Sequence, residues 1–306
     1  MPKVTIGVPV FNGAPYLARA LEDLRTQSFE DIEVLIYDNA STDETARIAL
    51  EFQSRDQRFH YFRQSENVGA LRNFLDVLTA SKSAYFMWRA MDDDATPNYI
   101  ETLVQLLDES ADHDLAVGRI ETIDLDGRKL REARFPALFG NQGEFDRLRL
   151  LFNSHPSWIY GLFRREPLVA RAQVVRDRYN HPWAWDHLTL FPFLFDFKVV
   201  GTDETACRQV LKRSSSEAVP RIKTTQHLAT LVKLRRLFFA MTREDVNRRV
   251  ANPLARAWYA VVLWFYVGKR VYRWRRAVRR ALIDRLRSQP ADGSAGDEKS
   301  GFESYY

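Results

Sequence analysis

The chain has 306 residues, 45% of them hydrophobic and 13% aromatic, and can bury a sizeable core in one large domain or two smaller ones. Its single cysteine, Cys207, excludes an intramolecular disulfide, and its six histidines show no zinc-binding spacing. The net charge of +5 is uneven: residues 254–288 hold ten Lys and Arg against one acid, a net of +9, whereas the remainder holds 35 basic and 39 acidic residues, a net of −4. This distribution argues against a nucleic-acid-binding body and predicts an anionic partner for the basic segment.

The N-terminal third alternates between strand-like and helical patterns. The strand-like runs are residues 4–10, 32–37, 59–62 and a fourth that ends at Asp92–Asp94. The helical patterns follow Asn12–Pro15, start at Ser41 with Glu44 at capping-box spacing, and cover about residues 70–80. The first run is too short and too strand-like for a signal peptide, so the catalytic part is expected in the cytoplasm. Strands separated by helices of this length predict a mostly parallel α/β sheet, with ligands beyond the carboxyl ends of its strands.

Three adjacent carboxylates, Asp92, Asp93 and Asp94, follow the aromatic run of residues 85–88. A divalent cation would relieve their mutual repulsion, and Mg²⁺ or Mn²⁺ favours one or two carboxylates together with phosphate oxygens and water. The pattern therefore predicts a metal-bridged diphosphate at this strand end. The structural alternative is a helix N-terminus, in which residues 94–96 cap a helix that begins at Pro97.

Two other loops carry side chains suited to a nucleotide. Asp38 directly follows its strand and can accept a hydrogen bond from a base N–H or a ribose hydroxyl, but residues 38–41 also have the composition of an ordinary turn. Arg72 lies one turn into the helix after Gly69, where it is either within reach of a diphosphate or a solvated surface residue. The sequence has no phosphate-binding P-loop and no dinucleotide fingerprint, which argues against a kinase or a dehydrogenase.

The ordered loops resemble those of family 2 glycosyltransferases, which have the GT-A fold. The matching motifs are residues 5–13 (TIGVPVFNG), 38–45 (DNASTDET), 67–69 (NVG) and 91–93 (MDD). The resemblance is close over about the first 115 residues and looser to about residue 216. It implies a nucleotide-diphosphate sugar donor, with a UDP-sugar favoured, and Mg²⁺ or Mn²⁺ as cofactor.

The resemblance also implies roles for individual residues. Pro9, Val10 and Asn12 would line the base pocket, and Asp38 would hold the base or the ribose. Asp92 and Asp93 would occupy the metal and diphosphate position. Ala90 stands where many relatives have the first carboxylate of an Asp-x-Asp-Asp pattern, so the metal would depend on Asp92 and Asp93 alone.

The middle of the chain is expected to bind the acceptor. Residues 157–165 resemble the Gly-x-Phe-Arg strand that precedes the catalytic helix in many family members, and the resemblance implies that Asp186 is the general base. Trp183 and Trp185 would then stack on sugar faces. In the structural alternative Asp186 caps its helix and both tryptophans belong to the core. His187 is the rival base, because its ordinary pKa lies nearer neutrality.

Basic side chains follow this helix. Arg208, Lys212 and Arg213 precede Ser214–Ser216, where a basic group would approach the leaving phosphates or form a solvated loop.

The C-terminal segment combines an apolar run with a basic helix. Residues 257–267 form eleven consecutive apolar positions, fewer than the ~20 that a membrane-spanning helix needs. After Gly268 the spacing predicts a helix with one apolar face and one arginine-rich face, so residues 254–288 are expected to anchor the protein on an anionic membrane surface. The alternative is a helix that packs on the protein body.

These patterns define a predicted organisation and function. The predicted parts are a nucleotide-sugar-binding half (1–115), an acceptor-binding half with the base (116–225), membrane-associating helices (226–288) and a disordered tail (289–306). The expected activity is inverting transfer of one sugar to an acceptor hydroxyl of a glycan or lipid-linked intermediate, at the cytoplasmic face of the cell membrane. The alternatives are a polyprenyl-phosphate glycosyl synthase and a membrane-bound scaffold with an inactive site.

Overall fold

The computed structural model describes residues 1–211 and 228–271. These residues fall into two compact units, one within residues 1–219 and the other within residues 220–305. Lys212, Arg213, Ser214–Ser216, most of the predicted basic helix and the predicted tail 289–306 lie outside the described residues. The predictions for those segments therefore remain predictions.

The N-terminal part of the first unit alternates strand and helix, as the apolar periodicity predicts. Its elements are β1 (Val4–Val10), α1 (Ala14–Arg25), β2 (Ile32–Asp38), α2 (Thr45–Arg55), β3 (Phe59–Arg63), α3 (Ala70–Ala80) and β4 (Tyr85–Trp88). Every residue of β1 and β4 is buried, which is the burial expected of central strands covered on both faces.

The second part of this unit returns to the same sheet. Its elements are β5 (Asp94–Ala95), α4 (Tyr99–Asp108), β6 (Leu115–Ile123), β7 (Lys129–Ala133), α5 (Glu144–Asn153), a 3₁₀ helix (Pro156–Tyr160), β8 (Leu162–Arg164), α6 (Arg165–Arg178), α7 (Trp185–Phe195) and β9 (Val199–Val210). The predicted strand within residues 157–165 is thus β8, and the expected helix at Asp186 is α7.

In the described residues, one mixed sheet contains nine strands in the order β3-β2-β1-β4-β8-β6-β9-β5, with β7 beside β6. The pairs β1–β2, β1–β4, β2–β3 and β6–β9 are parallel, and β8 is antiparallel to both β4 and β6. Six strands consequently run in one direction, so the carboxyl ends of β1, β2, β3, β4, β6 and β9 share one edge of the sheet. The predicted α/β class with a mixed, mostly parallel sheet is confirmed.

The expected helix start at Ser41 and the alternative role of Asp94 as a helix cap are both wrong. Ser41 does not cap α2, because this helix begins at Thr45 after Glu44, and the Ser41 hydroxyl accepts a hydrogen bond from the Asn12 N–H instead. Asp94 does not cap a helix at Pro97 either. It lies in β5, antiparallel to β9, and α4 follows Asn98.

The second unit consists, in its described part, of the helices α8 (Leu228–Arg249) and α9 (Pro253–Arg270). The Asn252 side chain caps α9 by accepting from the N–H groups of Leu254 and Ala255. The two helices pack together, with the ring centroids of Phe238 and Tyr266 6.2 Å apart. No helix in the described ranges is long and apolar enough to cross a membrane.

Candidate active site

The loops after β1 and β2 are joined by side-chain hydrogen bonds. Asn12 has a left-handed backbone (φ 49°), and its side-chain oxygen accepts from the Thr42 N–H at 2.9 Å. The Gly13 N–H donates to the Thr45 hydroxyl at 2.8 Å. Asn12 is exposed at this edge, whereas Pro9 and Val10 are buried in β1. Of the residues predicted for the base pocket, Asn12 is therefore accessible to a ligand, whereas Pro9 and Val10 lie beneath the surface.

Asp38 ends β2 and has no exposed surface. One carboxylate oxygen accepts from the Ser41 N–H at 2.8 Å, and the other accepts from the Tyr61 hydroxyl at 2.6 Å, with Arg63 Nη1 3.9 Å away. Burial, together with this hydrogen bond, raises the pKa of Tyr61 to about 12. Asp38 thus makes the turn contact of the structural alternative, and Tyr61 and Arg63 on β3 are neighbours that the sequence motifs did not identify.

The third loop is joined to the second. The Asn39 side chain donates to Asn67 Oδ1 at 2.9 Å and accepts from the Val68 N–H at 2.8 Å. Gly69 precedes α3 with φ 86°, a conformation that a side chain would strain. Arg72, in the first turn of α3, is two-thirds exposed and lies 3.7 Å from Asp76. Its guanidinium is therefore available at the same sheet edge as Asp38, and its binding to a diphosphate remains a prediction.

The carboxylate run forms the turn between β4 and β5. Asp92 is half-buried, whereas Asp93 and Asp94 are buried. Asp93 accepts hydrogen bonds from the Gln209 side chain and the Val210 N–H at the end of β9. These contacts leave Asp92 and Asp93 as adjacent carboxylates at the carboxyl edge of the sheet.

Asp94 has a different environment from its two neighbours. Its carboxylate forms ion pairs with Arg19 on α1 and with Arg208, whose Nη1 is 3.7 Å from Asp94 Oδ1. Arg208 also lies 3.5 Å from Glu121 on β6. Arg208 therefore lies in β9 between two carboxylates rather than in a solvated loop, and its approach to the leaving phosphates remains a prediction.

The pair Asp92 and Asp93 fits a divalent cation. Within the described ranges, no group of three or more His, Cys, Asp or Glu side chains forms a metal cage. Two carboxylates suit Mg²⁺ or Mn²⁺ when phosphate oxygens and water supply the other ligands. The repulsion between Asp92 and buried Asp93 is the observation that a bound cation would explain.

The burial of Asp93 has a consequence for stability. Burial, reinforced by Asp92, raises the pKa of Asp93 from 3.8 to about 7. Between these values the folded state holds a proton that the unfolded state releases, so the free energy of unfolding falls as pH rises, and the loss is complete above about pH 7. We expect Asp93→Asn to gain about 3 kcal/mol relative to the wild type between pH 5 and pH 8, because two pH units act at about 1.4 kcal/mol each.

Urea unfolding in EDTA at pH 5 and pH 8 measures this gain. An equal stability difference between variant and wild type at both pH values would contradict the burial of an ionisable carboxylate at position 93.

Asp186 lies in the first turn of α7, after Ala184 with a left-handed backbone (φ 60°). The Tyr179 hydroxyl donates to the Trp183 carbonyl at 2.6 Å and holds the preceding loop. Burial raises the pKa of Tyr179, and the nearby Asp186 carboxylate adds to that increase. Asp186 and Trp183 are half-buried, whereas His187 is only 7% exposed. Asp186 is thus the more accessible of the two possible bases.

Trp185 requires a correction. It has no exposed surface, and its ring lies 5.7 Å from the Trp88 ring and 5.5 Å from the Phe74 ring. Trp185 is therefore a core residue, as the structural alternative proposed, and it has no exposed face for a sugar. Trp183 is half-buried, and its stacking on a sugar remains a prediction. The Trp88 contact also packs the start of α7 against the last residue of β4.

The sequence model described as "Glycosyl transferase family 2" matches residues 5–170. Curated bacterial glycosyltransferases are 29–36% identical to this chain over 114–136 residues, and the alignments cover 37–44% of this chain but only 16–40% of the relatives' lengths. One of them is the "GalNAc(5)-diNAcBac-PP-undecaprenol beta-1,3-glucosyltransferase" of Campylobacter jejuni, 29% identical over 114 residues, which are 37% of this chain and 37% of that protein.

Two solved structures share the fold. S. aureus TarS 1–349 in complex with UDP-GlcNAc has a TM-score of 0.61 and 14% identity, over 87% of this chain and 73% of that chain. The mannosyltransferase PcManGT from Pyrobaculum calidifontis, in complex with GDP-Man and Mn²⁺, has a TM-score of 0.50 and 15% identity, over 95% and 76% of the two chains. These similarities confirm the GT-A type of mixed sheet that the motifs implied.

Proposed function

Since the chain belongs to glycosyl transferase family 2, we propose that it moves one sugar from a nucleotide diphosphate to an acceptor hydroxyl, with inversion at the sugar carbon. The observation that supports this proposal is the contact between the ring of Trp88, which ends β4 shortly before Asp92 and Asp93, and the ring of Trp185, which precedes Asp186. A base and a diphosphate site at one edge are what a direct displacement requires. Release of nucleoside diphosphate from UDP-, GDP- or dTDP-sugars by the purified protein tests it.

The donor would bind along the loops after β1, β2 and β4. Asn12 would contact the base or ribose, with Pro9 and Val10 behind it, and Asp38, buried in this structure, would exchange its hydrogen bond with Tyr61 for one with the base or ribose. Arg72 would approach the diphosphate. A UDP-sugar is the favoured donor, because the similar TarS structure contains UDP-GlcNAc. PcManGT contains GDP-Man, so the base must be determined by experiment.

Asp92 and Asp93 would hold Mg²⁺ or Mn²⁺, which when bound supplies positive charge to the leaving nucleoside diphosphate. The PcManGT complex, which contains Mn²⁺, supports this assignment. Gln209 and Val210 fix the Asp93 carboxylate through their hydrogen bonds, so its orientation is set before the donor arrives.

On the acceptor side, Asp186 would take the proton of the attacking hydroxyl. A carboxylate in this position increases the nucleophilicity of the hydroxyl as the sugar carbon passes through an oxocarbenium-like state. The half-buried Trp183, held by Tyr179, would provide an aromatic surface for an acceptor sugar. Inversion follows from attack by the acceptor on the face opposite the leaving diphosphate.

The acceptor is proposed to be a lipid-linked glycan at an anionic membrane surface. The Campylobacter jejuni relative is named for a PP-undecaprenol-linked glycan, and this name supports the proposed acceptor class. Residues 228–271 hold nine Lys and Arg against two acids, and six of the nine lie before residue 254, so α8 adds basic side chains to the predicted segment 254–288. The expected location is therefore peripheral, on the cytoplasmic face of the membrane.

The apolar run of α9 is divided between two faces. One face is buried and comprises Tyr259, Val262, Leu263, Tyr266 and Val267. The other is at least half exposed and comprises Leu254, Trp258, Val261, Trp264 and Phe265. The first face packs within the second unit, and the second is the surface that would enter the lipid interface.

We expect Trp258→Ser/Phe265→Ser to bind anionic vesicles at least about tenfold more weakly than the wild type, because two large apolar side chains no longer enter the interface. Wild-type binding should weaken as salt rises, since the basic side chains are screened. Co-sedimentation with vesicles that contain phosphatidylglycerol measures both effects, with Ala257→Ser as an exposed control on the same helix. Wild-type protein that ignores these vesicles at low salt would contradict membrane attachment.

A further inference from the structure

The turn that carries Asp92 and Asp93 is held from behind by side chains of α1. Asp23 Oδ1 accepts from the Ala95 N–H at 3.2 Å, and Asp23 Oδ2 lies 3.5 Å from Nη1 of Arg89. Arg89 and Ala95 are the residues immediately before and after residues 90–94, which hold all three carboxylates. Asp23 therefore connects both ends of this turn to one helix.

Arg89 is an unusual residue to find in this place. Its side chain is 1% exposed, and its guanidinium lies 5.6 Å from the centroid of the Tyr99 ring. Among the described residues, none of its three side-chain nitrogens has a hydrogen-bond acceptor, so its charge is balanced mainly by Asp23 across 3.5 Å. Burial raises the pKa of Asp23 even though Arg89 lies beside it, which shows that this carboxylate too is costly to bury.

Such a pair adds little to stability. Removing two charges from water costs several kcal/mol per ion, and apolar replacements of similar volume are often as stable as the buried ion pair they replace. The attraction between Asp23 and Arg89 offsets this cost poorly, because their contact is long and the guanidinium donates no hydrogen bond among the described residues. The location of the pair, directly behind the carboxylate turn, points to a functional reason for its presence.

The same helix also contacts the third carboxylate. Arg19, one turn before Asp23 on α1, pairs with Asp94. α1 begins at Ala14, directly after the Asn12–Gly13 loop that is bonded to the loop after β2. One rigid helix thus connects the loop proposed for the base to the turn proposed for the diphosphate.

We propose that Asp23 and Arg89 are positioning residues that hold Asp92 and Asp93 in the geometry that binds the metal and the donor diphosphate. This inference rests on the proposed function and assigns neither residue a contact with the donor. Loss of the pair should leave the loop that contacts the base intact and allow the carboxylate turn to move. The consequence is weaker metal-dependent binding, with metal-independent binding of the nucleotide unchanged.

The test uses a double variant that removes both charges. Asp23→Asn/Arg89→Met leaves no unpaired buried charge and keeps a side-chain oxygen for the Ala95 N–H, so it should recover stability that either single variant loses. The matched control is Glu22→Gln/Arg25→Met, which removes an exposed ion pair from the same helix. The probe is Mn²⁺ with whichever of UDP, GDP or dTDP binds the wild type, and the measurements are calorimetry and the electron paramagnetic resonance signal of free Mn²⁺.

We expect the double variant to bind Mn²⁺ and nucleotide at least tenfold more weakly than the wild type, to bind the nucleotide in EDTA as the wild type does, and to raise the donor KM more than it lowers kcat. The control should match the wild type. A stable double variant that binds Mn²⁺ and nucleotide within twofold of the wild type overturns the inference alone. A wild type that binds none of the nucleotides overturns the proposed function and the inference with it.

Arg89→Lys supplies a second test that does not depend on the double variant being stable. It keeps the buried charge beside Asp23 and shortens its reach, so a positioning role predicts Mn²⁺-dependent affinity between those of the wild type and Arg89→Met. Wild-type affinity in both Arg89→Lys and Arg89→Met, each folded by circular dichroism, would overturn the inference.

Discussion

Asp186→Asn should lower kcat by roughly 10²–10⁴-fold and leave donor affinity nearly unchanged. Asparagine keeps the shape of the side chain. Its side-chain oxygen can still accept a hydrogen bond from the backbone N–H of His187, as Asp186 Oδ1 does at 2.6 Å. It cannot take a proton from the acceptor hydroxyl, so the loss falls on the chemical step. Steady-state kinetics with saturating acceptor, together with calorimetric titration of the donor, separates the two quantities.

His187 provides the comparison for this prediction. It is adjacent to Asp186 but only 7% exposed, so His187→Gln is expected to affect stability more than the chemical step. A large loss of kcat in His187→Gln with full activity in Asp186→Asn would show that histidine is the base. Full activity in both variants would favour a polyprenyl-phosphate glycosyl synthase, whose phosphate acceptor has less need of a base.

Asp92→Asn and Asp93→Asn should each abolish most turnover and weaken donor binding in the presence of Mg²⁺ or Mn²⁺. An amide supplies no negative charge to a cation, and each substitution removes half of the carboxylate pair at the turn. For Asp93→Asn the loss of activity should accompany the gain in metal-free stability described above. Asp93 would then be unfavourable for folding but required for donor binding, because Asp93→Asn would raise the metal-free stability and lower the activity.

Asp94→Asn is the matched control for the metal site. Asp94 is the third carboxylate of the same run, but it pairs with Arg19 and Arg208, so its loss should lower stability and leave the Mn²⁺ concentration needed for half-maximal activity nearly unchanged. Titration of each variant with Mn²⁺ after EDTA treatment makes the comparison. Full wild-type activity in excess EDTA would contradict the metal assignment.

Local patterns were sufficient to predict the order of strands and helices in the N-terminal half of the sheet, although β4 ends at Trp88, before the carboxylates where the sequence predicted its end, and α2 begins at Thr45 instead of Ser41. Val4–Val10 and Ala70–Ala80 have the predicted bounds, because an uninterrupted apolar run and a regular helical spacing depend on neighbouring residues alone. The order of the loops was sufficient to indicate the family, since each motif follows a strand of the same sheet. The edge shared by Asp38 and Asp92 followed from that topology.

Contacts between distant residues could not be predicted in this way. Asp is a residue type that often caps helices. Asp94 instead forms a two-residue strand with Ala95, and this strand pairs with β9, more than 100 residues away. Trp185 lies beside a proposed base and is buried because Trp88 and Phe74 meet it from other elements. Asp23 belongs to no motif, and its importance appears only when Arg89 and Ala95 are seen at its two oxygens.

Transfer of radiolabelled sugar from a nucleotide donor to an organic-extractable lipid tests the central claim most directly. Purified protein, Mn²⁺ and a bacterial lipid extract would be incubated with labelled UDP-, GDP- and dTDP-sugars in turn. The proposed function predicts that label from one donor enters the lipid fraction with equimolar release of nucleoside diphosphate, and that Asp186→Asn binds this donor without transferring its sugar. Binding of a donor without transfer or release of nucleoside diphosphate under any of these conditions would contradict it and favour a scaffold with an inactive site.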